Sequence, residues 1–312
     1  MKKIICLMGP TASGKTSRAV EIVQRFPCEI ISVDSAMVYR GMDIGTAKPD
    51  KETLRIAPHR LIDFLDPANT YSAGQFRLDA LREIESIHSA NKIPLLVGGT
   101  MMYFRILQQG LATLPQADAA LRLELQTRAE KEGWESLHAD LCKIDAVAGM
   151  KINPNDSQRI QRALEVYLLT GKNMTKWQRE HTHALSDYTI YNIALTPFDR
   201  VRLHERITLR FDQMLAAGFM DEVRALYERG DLHPDLPSIR SVGYKEMWEY
   251  FSGLSTETEM REKALAATRQ LAKRQITWLR SWPNVEWLDA DLHDVGDKIM
   301  KIIQHVTPDK DN

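Results

Sequence analysis

Short apolar runs separated by stretches of helical periodicity dominate the first hundred residues of the chain. Residues 4–8, 29–34 and 93–97 have the length and composition of buried strands, and residues 58–63 form a shorter candidate. Strand-like composition returns at residues 188–195 and 285–288. Helical stretches lie between these runs, as at residues 17–24 and 72–89. Strands that alternate with helices predict an α/β domain with a parallel sheet.

The middle of the chain has a different pattern. Residues 114–185 are charged and helical, without a strand-like run. One predicted helix covers residues 118–132 and stops at Gly133, and another begins at Asn155 or Asp156 and stops at Gly171. We therefore predict a helical insertion domain at residues 114–187, between two parts of the α/β core at residues 1–113 and 188–312.

The first predicted strand ends in a glycine-rich loop that fits the pattern G-x-x-x-x-G-K-[ST]. Its two glycines let backbone N–H groups turn toward an anion, and the following helix directs its partial positive charge to the same point. The lysine adds a full charge, and the Thr16 hydroxyl suits a magnesium ion. The pattern predicts a P-loop NTPase-like core that binds a di- or triphosphate through Gly9, Pro10, Thr11, Ala12, Ser13, Gly14, Lys15 and Thr16.

Two polar residues come directly after other predicted strands. Asp34 ends the run at residues 29–34, and Thr100 follows Gly98 and Gly99. Ligands of open α/β sheets bind at the carboxyl ends of the strands, so we expect both side chains near the phosphate loop. Both residue types also cap helices, which is the alternative explanation for each.

The predicted helix at residues 200–216 carries an arginine on its apolar side. At about 100° per residue, Leu203, Ile207 and Met214 form one narrow stripe, and Arg210 lies in the middle of it. A guanidinium in that position needs an anion as its partner. The sequence leaves two partners open, namely an internal carboxylate and the phosphate ligand.

A second predicted helix, at residues 264–282, is strongly basic. It has four basic residues and no acidic one, and Arg269, Lys273 and Arg280 lie on one side of it. Such a face suits the phosphate backbone of a nucleic acid. A merely solvated basic face is the alternative, and the same alternative applies to Arg159 and Arg162 in the insertion.

Composition narrows the class of protein. Lys and Arg number 41 and Asp and Glu 42, so the bulk charge does not indicate nucleic acid, and only a local patch would. The three cysteines are scattered without metal or disulfide spacing, which favours reduced thiols in the cytoplasm. No apolar stretch approaches the length of a membrane span. We expect a cytoplasmic monomer without a membrane partner.

The phosphate loop leaves three classes of function open. An NTP-dependent kinase or NTPase would use Asp34 as a magnesium ligand or base. A nucleic-acid-binding GTPase is disfavoured because the chain has no N-K-x-D segment. In the third class the loop holds the diphosphate of an alkyl donor, and Asp34 takes a proton from an incoming amine. Whether ATP occupies the loop stays open.

Six segments between about residue 3 and residue 287 form a distinctive set. They read G-P-T-A-S-G-K-T, D-S-A-M-V-Y-R-G-M-D-I-G-T-A-K-P, L-L-V-G-G-T-M-M-Y-F, R-F-D-Q-M-L-A-A-G-F, P-S-I-R-S-V-G-Y-K and T-R-Q-L-A-K-R-Q-I-T-W-L-R. These segments resemble the bacterial tRNA dimethylallyltransferases, also called tRNA isopentenyltransferases. Eukaryotic members of that family carry a C-terminal zinc finger, for which this chain lacks the cysteines.

The resemblance implies a magnesium-dependent transfer of a dimethylallyl group from its diphosphate to the exocyclic amine of the tRNA adenosine 3′ of the anticodon, with release of diphosphate. It implies catalytic roles for Asp34, Thr100 and Arg210 and a magnesium contact at Thr16. It also implies contacts with tRNA at Asp34, Ser35, Ala36, Met37, Thr100, Arg122, Gln158, Arg159, Ile160, Gln161, Arg162, Arg240, Ser241, Val242, Gly243, Tyr244, Lys245, Lys273, Arg274, Gln275, Ile276, Thr277, Trp278, Leu279 and Arg280.

Overall fold

The structure, a computed structural model, describes residues 2–110, 112, 114–180 and 185–307 of the 312-residue chain. The strands in these ranges are β1 Lys2–Met8, β2 Cys28–Val33, β3 His59–Arg60, β4 Ile93–Gly98, β5 Tyr188–Thr196 and β6 Val285–Asp289. The helices are α1 Lys15–Arg25, α2 Lys51–Ile56, α3 Ala73–Ser89, α4 Met101–Gln109, α5 Ala119–Glu132, α6 Trp134–Ile144, α7 Ala146–Lys151, α8 Ser157–Thr170, α9 Met174–Arg179, α10 Arg200–Ala216, α11 Phe219–Tyr227, α12 Tyr244–Phe251, α13 Glu257–Arg280 and α14 Val295–Val306.

The six strands form one sheet in the order β3-β2-β4-β1-β5-β6, and every strand pair is parallel. In the centre, Ile5 of β1 is level with Leu95 of β4 and with Tyr191 of β5. Parallel pairing places the carboxyl ends of β1, β2 and β4 at one edge of the sheet. The predicted α/β fold with a parallel-sheet core is therefore confirmed.

Both faces of the sheet are covered, since neighbouring residues of β1 such as Ile4 and Ile5, which point to opposite faces, are both fully buried. On one side, β-strand residues such as Ile5 and Leu95 pack with Ile22 of α1 and Ile299 of α14. A second cluster joins α10 to α13 and contains Ile207, Phe219, Tyr244 and Leu265, among others. This second cluster fixes the helices that carry the basic and aromatic residues singled out in the sequence.

The chain divides into two compact units. The larger comprises residues up to Leu107 and residues from Leu185 onward, and the smaller is Gln108–Ala184. The described part of the smaller unit is helical, with Leu125, Leu137, Leu141 and Ile160 in its own core. It overlaps most of the predicted insertion at residues 114–187. No helix in the described ranges combines the length and apolar character that crossing a membrane requires.

Two predicted elements have different bounds in the structure. The strand predicted at residues 58–63 has only two residues, since Leu61 and Asp63 adopt left-handed φ angles of 59° and 57°, which an extended strand does not allow. The basic helix begins at Glu257 rather than at residue 264. A capping box starts it, in which the side chains of Thr256 and Glu259 each bond the other residue's backbone N–H.

Candidate active site

A cavity of about 550 Å³ lies in the larger unit where β1, β2 and β4 end. The loop after β1 contributes Thr11, Ala12, Lys15 and Thr16, the segment after β2 contributes Asp34, Ser35, Ala36 and Met37, and the turn after β4 contributes Gly98, Gly99 and Thr100. Further walls come from α10, α13, the segment before α12 and residues of other elements such as Gly45 and Phe219. The structure therefore brings the predicted phosphate loop, Asp34, Thr100 and Arg210 to one cavity.

The phosphate loop has the backbone of an anion cradle. Gly14 has a φ of 84°, in the left-handed region that glycine adopts without strain, and Ala12 is held there as well, with a φ of 62°. Within the described part of the chain, the backbone N–H groups of Ala12, Ser13 and Gly14 donate to no protein acceptor. Helix α1 begins directly after the loop, so its N-terminal partial charge adds to these donors.

Lys15 folds back onto the loop that carries it. Its Nζ donates to the carbonyl oxygen of Pro10 at 2.6 Å and to the hydroxyl of Ser13 at 3.3 Å. Burial and, to a smaller extent, the positive charge of Arg210 lower the pKa of Lys15 to about 7, although Asp34 acts in the opposite direction. An anion bound in the cavity would favour the protonated form of Lys15 and would therefore raise its pKa again.

Arg210 projects from the apolar side of α10, as its position in the sequence predicted. Ile207 and Phe211 next to it are buried, and Met214 packs on the same cluster. Burial lowers the pKa of Arg210, while Asp34 raises it. Within the described ranges the guanidinium makes neither a hydrogen bond nor an ion pair. The internal-carboxylate alternative thus finds no salt bridge there, and the side chain faces a cavity that suits an anionic ligand.

Asp34 is held by the backbone that follows it. Its Oδ1 accepts hydrogen bonds from the N–H groups of Ala36 at 2.8 Å and Met37 at 3.2 Å. Thr100 is tied to the same segment, since its Oγ1 accepts from the backbone N–H of Ser35 at 3.1 Å. The segments after β2 and β4 therefore support each other, and one oxygen of the carboxylate is fixed while the residue lines the cavity.

Glu222 on α11 was not singled out in the sequence, although it shapes the same cavity. Its carboxylate accepts backbone N–H bonds from Asp43, Ile44 and Gly45 at 2.7–3.1 Å, and the hydroxyl of Tyr244 donates to it at 2.5 Å. Gly45 and Tyr244 both line the cavity. Glu222 lies some 177 residues after Gly45 in the sequence, so no local pattern indicates the contact.

The predicted tRNA segment before α12 has mixed surroundings. Arg240, Ser241, Val242 and Gly243 line the cavity, and Arg240 is exposed to solvent. The Tyr244 side chain is fully buried. Lys245 is exposed and does not line the cavity.

The predicted tRNA residues of helix α13 lie in three places, namely at the cavity, on the exposed surface and in the packed interior. Arg274, Gln275 and Trp278 line the cavity, and the Trp278 ring lies 5.5 Å from the guanidinium carbon of Arg105. Lys273, Thr277 and Arg280 are exposed. The residues that pack inward are Ile276, which is partly buried, and Leu279, which is fully buried.

The prediction that Arg269 shares an exposed basic face with Lys273 and Arg280 is wrong. Its Nη2 donates to the hydroxyl of Thr208 on α10 at 3.3 Å, and its Nε is buried. At about 100° per residue, Arg269 lies beside the inward-packed Ile276 and therefore at the edge of the packed face. Leu271 and Trp278, on the opposite side of the helix, line the cavity.

In the smaller unit, two predicted tRNA residues form a structural ion pair network. Glu165 is fully buried, and its carboxylate accepts hydrogen bonds from Arg122 at 2.8 Å and from Arg162 at 2.5 Å. The side chain of Gln161 donates to the carbonyl of Arg122, and Ile160 is fully buried. The exposed members of this set are Gln158 and Arg159.

The donor set fits the magnesium ion that the phosphate loop implies. Thr16 and Asp34 offer a hydroxyl and a carboxylate to the same cavity. Magnesium at phosphate sites takes one or two protein oxygens and completes its shell with phosphate oxygens and water. No group of three or more His, Cys, Asp or Glu side chains in the described part of the chain is placed to hold a metal on its own.

Comparison with known proteins gives one family match and several similar structures. A family model described as IPP transferase matches residues 37–282. The full-length tRNA isopentenylpyrophosphate transferase from Bacillus halodurans is 38% identical, over 98% of this chain and 96% of that one, with a TM-score of 0.72. The tRNA delta(2)-isopentenylpyrophosphate transferase from Staphylococcus epidermidis is 33% identical, over 98% and 100%, with a TM-score of 0.69. A eukaryotic dimethylallyltransferase acting on tRNA is 27% identical, over 99% and 81%, with a TM-score of 0.82.

Proposed function

The chain belongs to the IPP transferase family, and we propose that it transfers a dimethylallyl group from dimethylallyl diphosphate to the exocyclic amine of the tRNA adenosine 3′ of the anticodon. It is a tRNA prenyltransferase, and diphosphate is its second product. That the enzyme acts in the cytoplasm as a monomer stays a prediction from the sequence.

One observation carries the proposal, namely the composition of a single cavity. Lys15 and Arg210 provide two cations there, beside loop N–H groups without protein acceptors. Asp34 places a carboxylate in the same space, while Ile207, Phe211 and Met214 provide apolar wall. An enzyme that transfers a prenyl group to an amine needs a site for the diphosphate, an apolar surface for the hydrocarbon group and an acceptor for the amine proton.

The chemistry follows from these groups. The adenine amine is a weak nucleophile because its lone pair is delocalised into the ring, whereas an allylic carbon carries positive charge well as its diphosphate departs. The amine nitrogen forms a bond to the allylic carbon that bears the diphosphate, and the bond between that carbon and the diphosphate oxygen breaks. Asp34 takes the proton from the nitrogen. Lys15, Arg210 and the loop N–H groups stabilise the charge that develops on the leaving diphosphate.

A magnesium ion would be held by Thr16, with Asp34 within the same cavity. When bound, it would supply further positive charge to the diphosphate oxygens. The adenosine has to leave its base stack to bring its amine to Asp34. Arg240, Arg274 and Trp278 line the cavity and suit contacts with a nucleotide.

The test is the mass of tRNA after incubation with the chain, magnesium and dimethylallyl diphosphate. The proposal predicts the addition of one C5H8 unit to the tRNA and the release of diphosphate. ATP in place of the donor serves as the control. Phosphate release from ATP, with no gain in mass from dimethylallyl diphosphate, would refute the proposal in favour of a kinase or NTPase.

A further inference from the structure

Gln275 on α13 joins two segments of the candidate active site through one side-chain amide. Its Oε1 accepts a hydrogen bond from the backbone N–H of Thr11 at 2.9 Å, and its Nε2 donates to the carbonyl oxygen of Gly99 at 2.9 Å. Thr11 lies in the phosphate loop. Gly99 precedes Thr100, whose hydroxyl oxygen accepts a hydrogen bond from the backbone N–H of Ser35. One residue far along the chain thus links the loops that follow β1 and β4.

The two contacts require an amide. A backbone N–H only donates and a carbonyl only accepts, so the group between them must accept on one side and donate on the other. An ionised carboxylate accepts on both sides and would repel the Gly99 oxygen. The close approach of the Gln275 amide to the backbone of residue 99 also depends on the glycine there, since a Cβ at Gly99 would lie 2.4 Å from the Nε2 of Gln275.

We propose that Gln275 is a positioning residue for the phosphate loop. By engaging the N–H of Thr11, it fixes the first turn of the loop, next to the N–H groups of Ala12, Ser13 and Gly14 that have no protein acceptor in the described ranges. The inference rests on the proposed function, in which those groups hold the diphosphate. It assigns Gln275 to the diphosphate end of the site, whereas the sequence resemblance assigned it to tRNA.

The test uses two replacements of Gln275 and one matched control on the same helix. Gln275→Met keeps the length of the side chain and removes both hydrogen bonds, and Gln275→Glu removes only the donor. Gln270→Met makes the same exchange at an exposed position outside the cavity. Each full-length variant is titrated with inorganic diphosphate and magnesium in a calorimeter. Steady-state KM values for dimethylallyl diphosphate and for tRNA, kcat, and Tm are then measured.

The proposal predicts that Gln275→Met binds diphosphate about tenfold more weakly, the effect of losing two neutral hydrogen bonds. Gln275→Glu keeps an acceptor for the N–H of Thr11, but it should also bind diphosphate more weakly because its carboxylate repels the Gly99 oxygen and the ligand. The KM for dimethylallyl diphosphate should rise more than the KM for tRNA, whatever the change in Tm, and Gln270→Met should behave as wild type. Unchanged diphosphate affinity in Gln275→Met and Gln275→Glu, whatever their Tm, would overturn it and leave Gln275 a helix-docking residue. A wild-type chain that binds no diphosphate would overturn the proposed function together with this inference.

Discussion

The pKa of Lys15 gives a quantitative prediction for diphosphate binding. Burial, assisted by Arg210, lowers this pKa to about 7, so the free chain holds a neutral lysine above that pH. A bound diphosphate supplies the opposite charge and should raise the pKa again. Binding above pH 7 should therefore take up a proton, and raising the pH is the perturbation that exposes the effect.

The expected size follows from the pKa. At pH 8 roughly nine-tenths of the Lys15 amines are neutral before binding if their pKa is about 7, so the uptake should approach about 0.9 proton per site. Affinity should fall by up to about tenfold per pH unit above pH 7. Without ligand the stability changes in the opposite direction. An unfolded lysine keeps its proton up to about pH 10.4, so this group makes the free chain more stable as the pH rises from about 7 toward that value.

The assay is calorimetric titration with dimethylallyl diphosphate at pH 7, 8 and 9, in pairs of buffers with different ionisation enthalpies. A phosphate group finishes ionising near a pKa of about 6, so the ligand contributes little in this range. Lys15→Arg is the control because a guanidinium stays charged, and it should bind more weakly but with little pH dependence. No proton uptake at pH 8, or an equal pH slope in Lys15→Arg, would refute the reasoning.

Three further predictions concern Arg210, the exposed pair Lys273 and Arg280, and Glu222. Arg210→Met should bind the diphosphate donor about 10- to 100-fold more weakly. Its Tm should stay near wild type because the guanidinium has no protein hydrogen bond in the described ranges, and a lower Tm with unchanged donor affinity would contradict this. Replacing Lys273 and Arg280 together with Ala should flatten the salt dependence of tRNA affinity by up to about two slope units, and equal slopes would show that this face contacts no phosphate. Glu222→Ala should lower the free energy of unfolding by about 2–4 kcal/mol, measured by denaturant titration, because it leaves three N–H groups without their acceptor. Asp221→Ala, at the exposed neighbouring position, should stay within about 0.5 kcal/mol of wild type, and a similar loss in both would refute the assignment.

Local patterns were sufficient for most of the fold. The apolar runs predicted β1, β2, β4, β5 and β6 to within a few residues, and α10 has the bounds that its periodicity predicted. Strand β3 was overestimated because left-handed backbone at Leu61 and Asp63 has no strong sequence signal. The early start of α13 does have a sequence signal, namely the capping pair Thr256 and Glu259. A search for apolar periodicity alone does not detect this pair.

The candidate site was predictable only where chemistry and local geometry coincide. The phosphate loop and Arg210 were predictable because each is marked by a short stretch of sequence. The loop has a glycine-lysine motif, and Arg210 is a cation on the apolar stripe of one helix. Gln275 and Glu222 contact partners 264 and about 178 residues away, and only the folded chain brings them together. Arg269 was assigned to the wrong face because a helical wheel gives angles and not the position of the neighbouring helix.

The most direct test of the account is the single-turnover rate of prenyl transfer to tRNA by Asp34→Asn. The amide oxygen retains an acceptor for the N–H groups of Ala36 and Met37, so the turn after β2 should persist. We predict near-normal affinity for tRNA and for dimethylallyl diphosphate, with a transfer rate lower by about 10²-fold or more, because an amide does not take the proton from the adenosine amine. A variant with a near-normal transfer rate would contradict the assignment of Asp34 as the base.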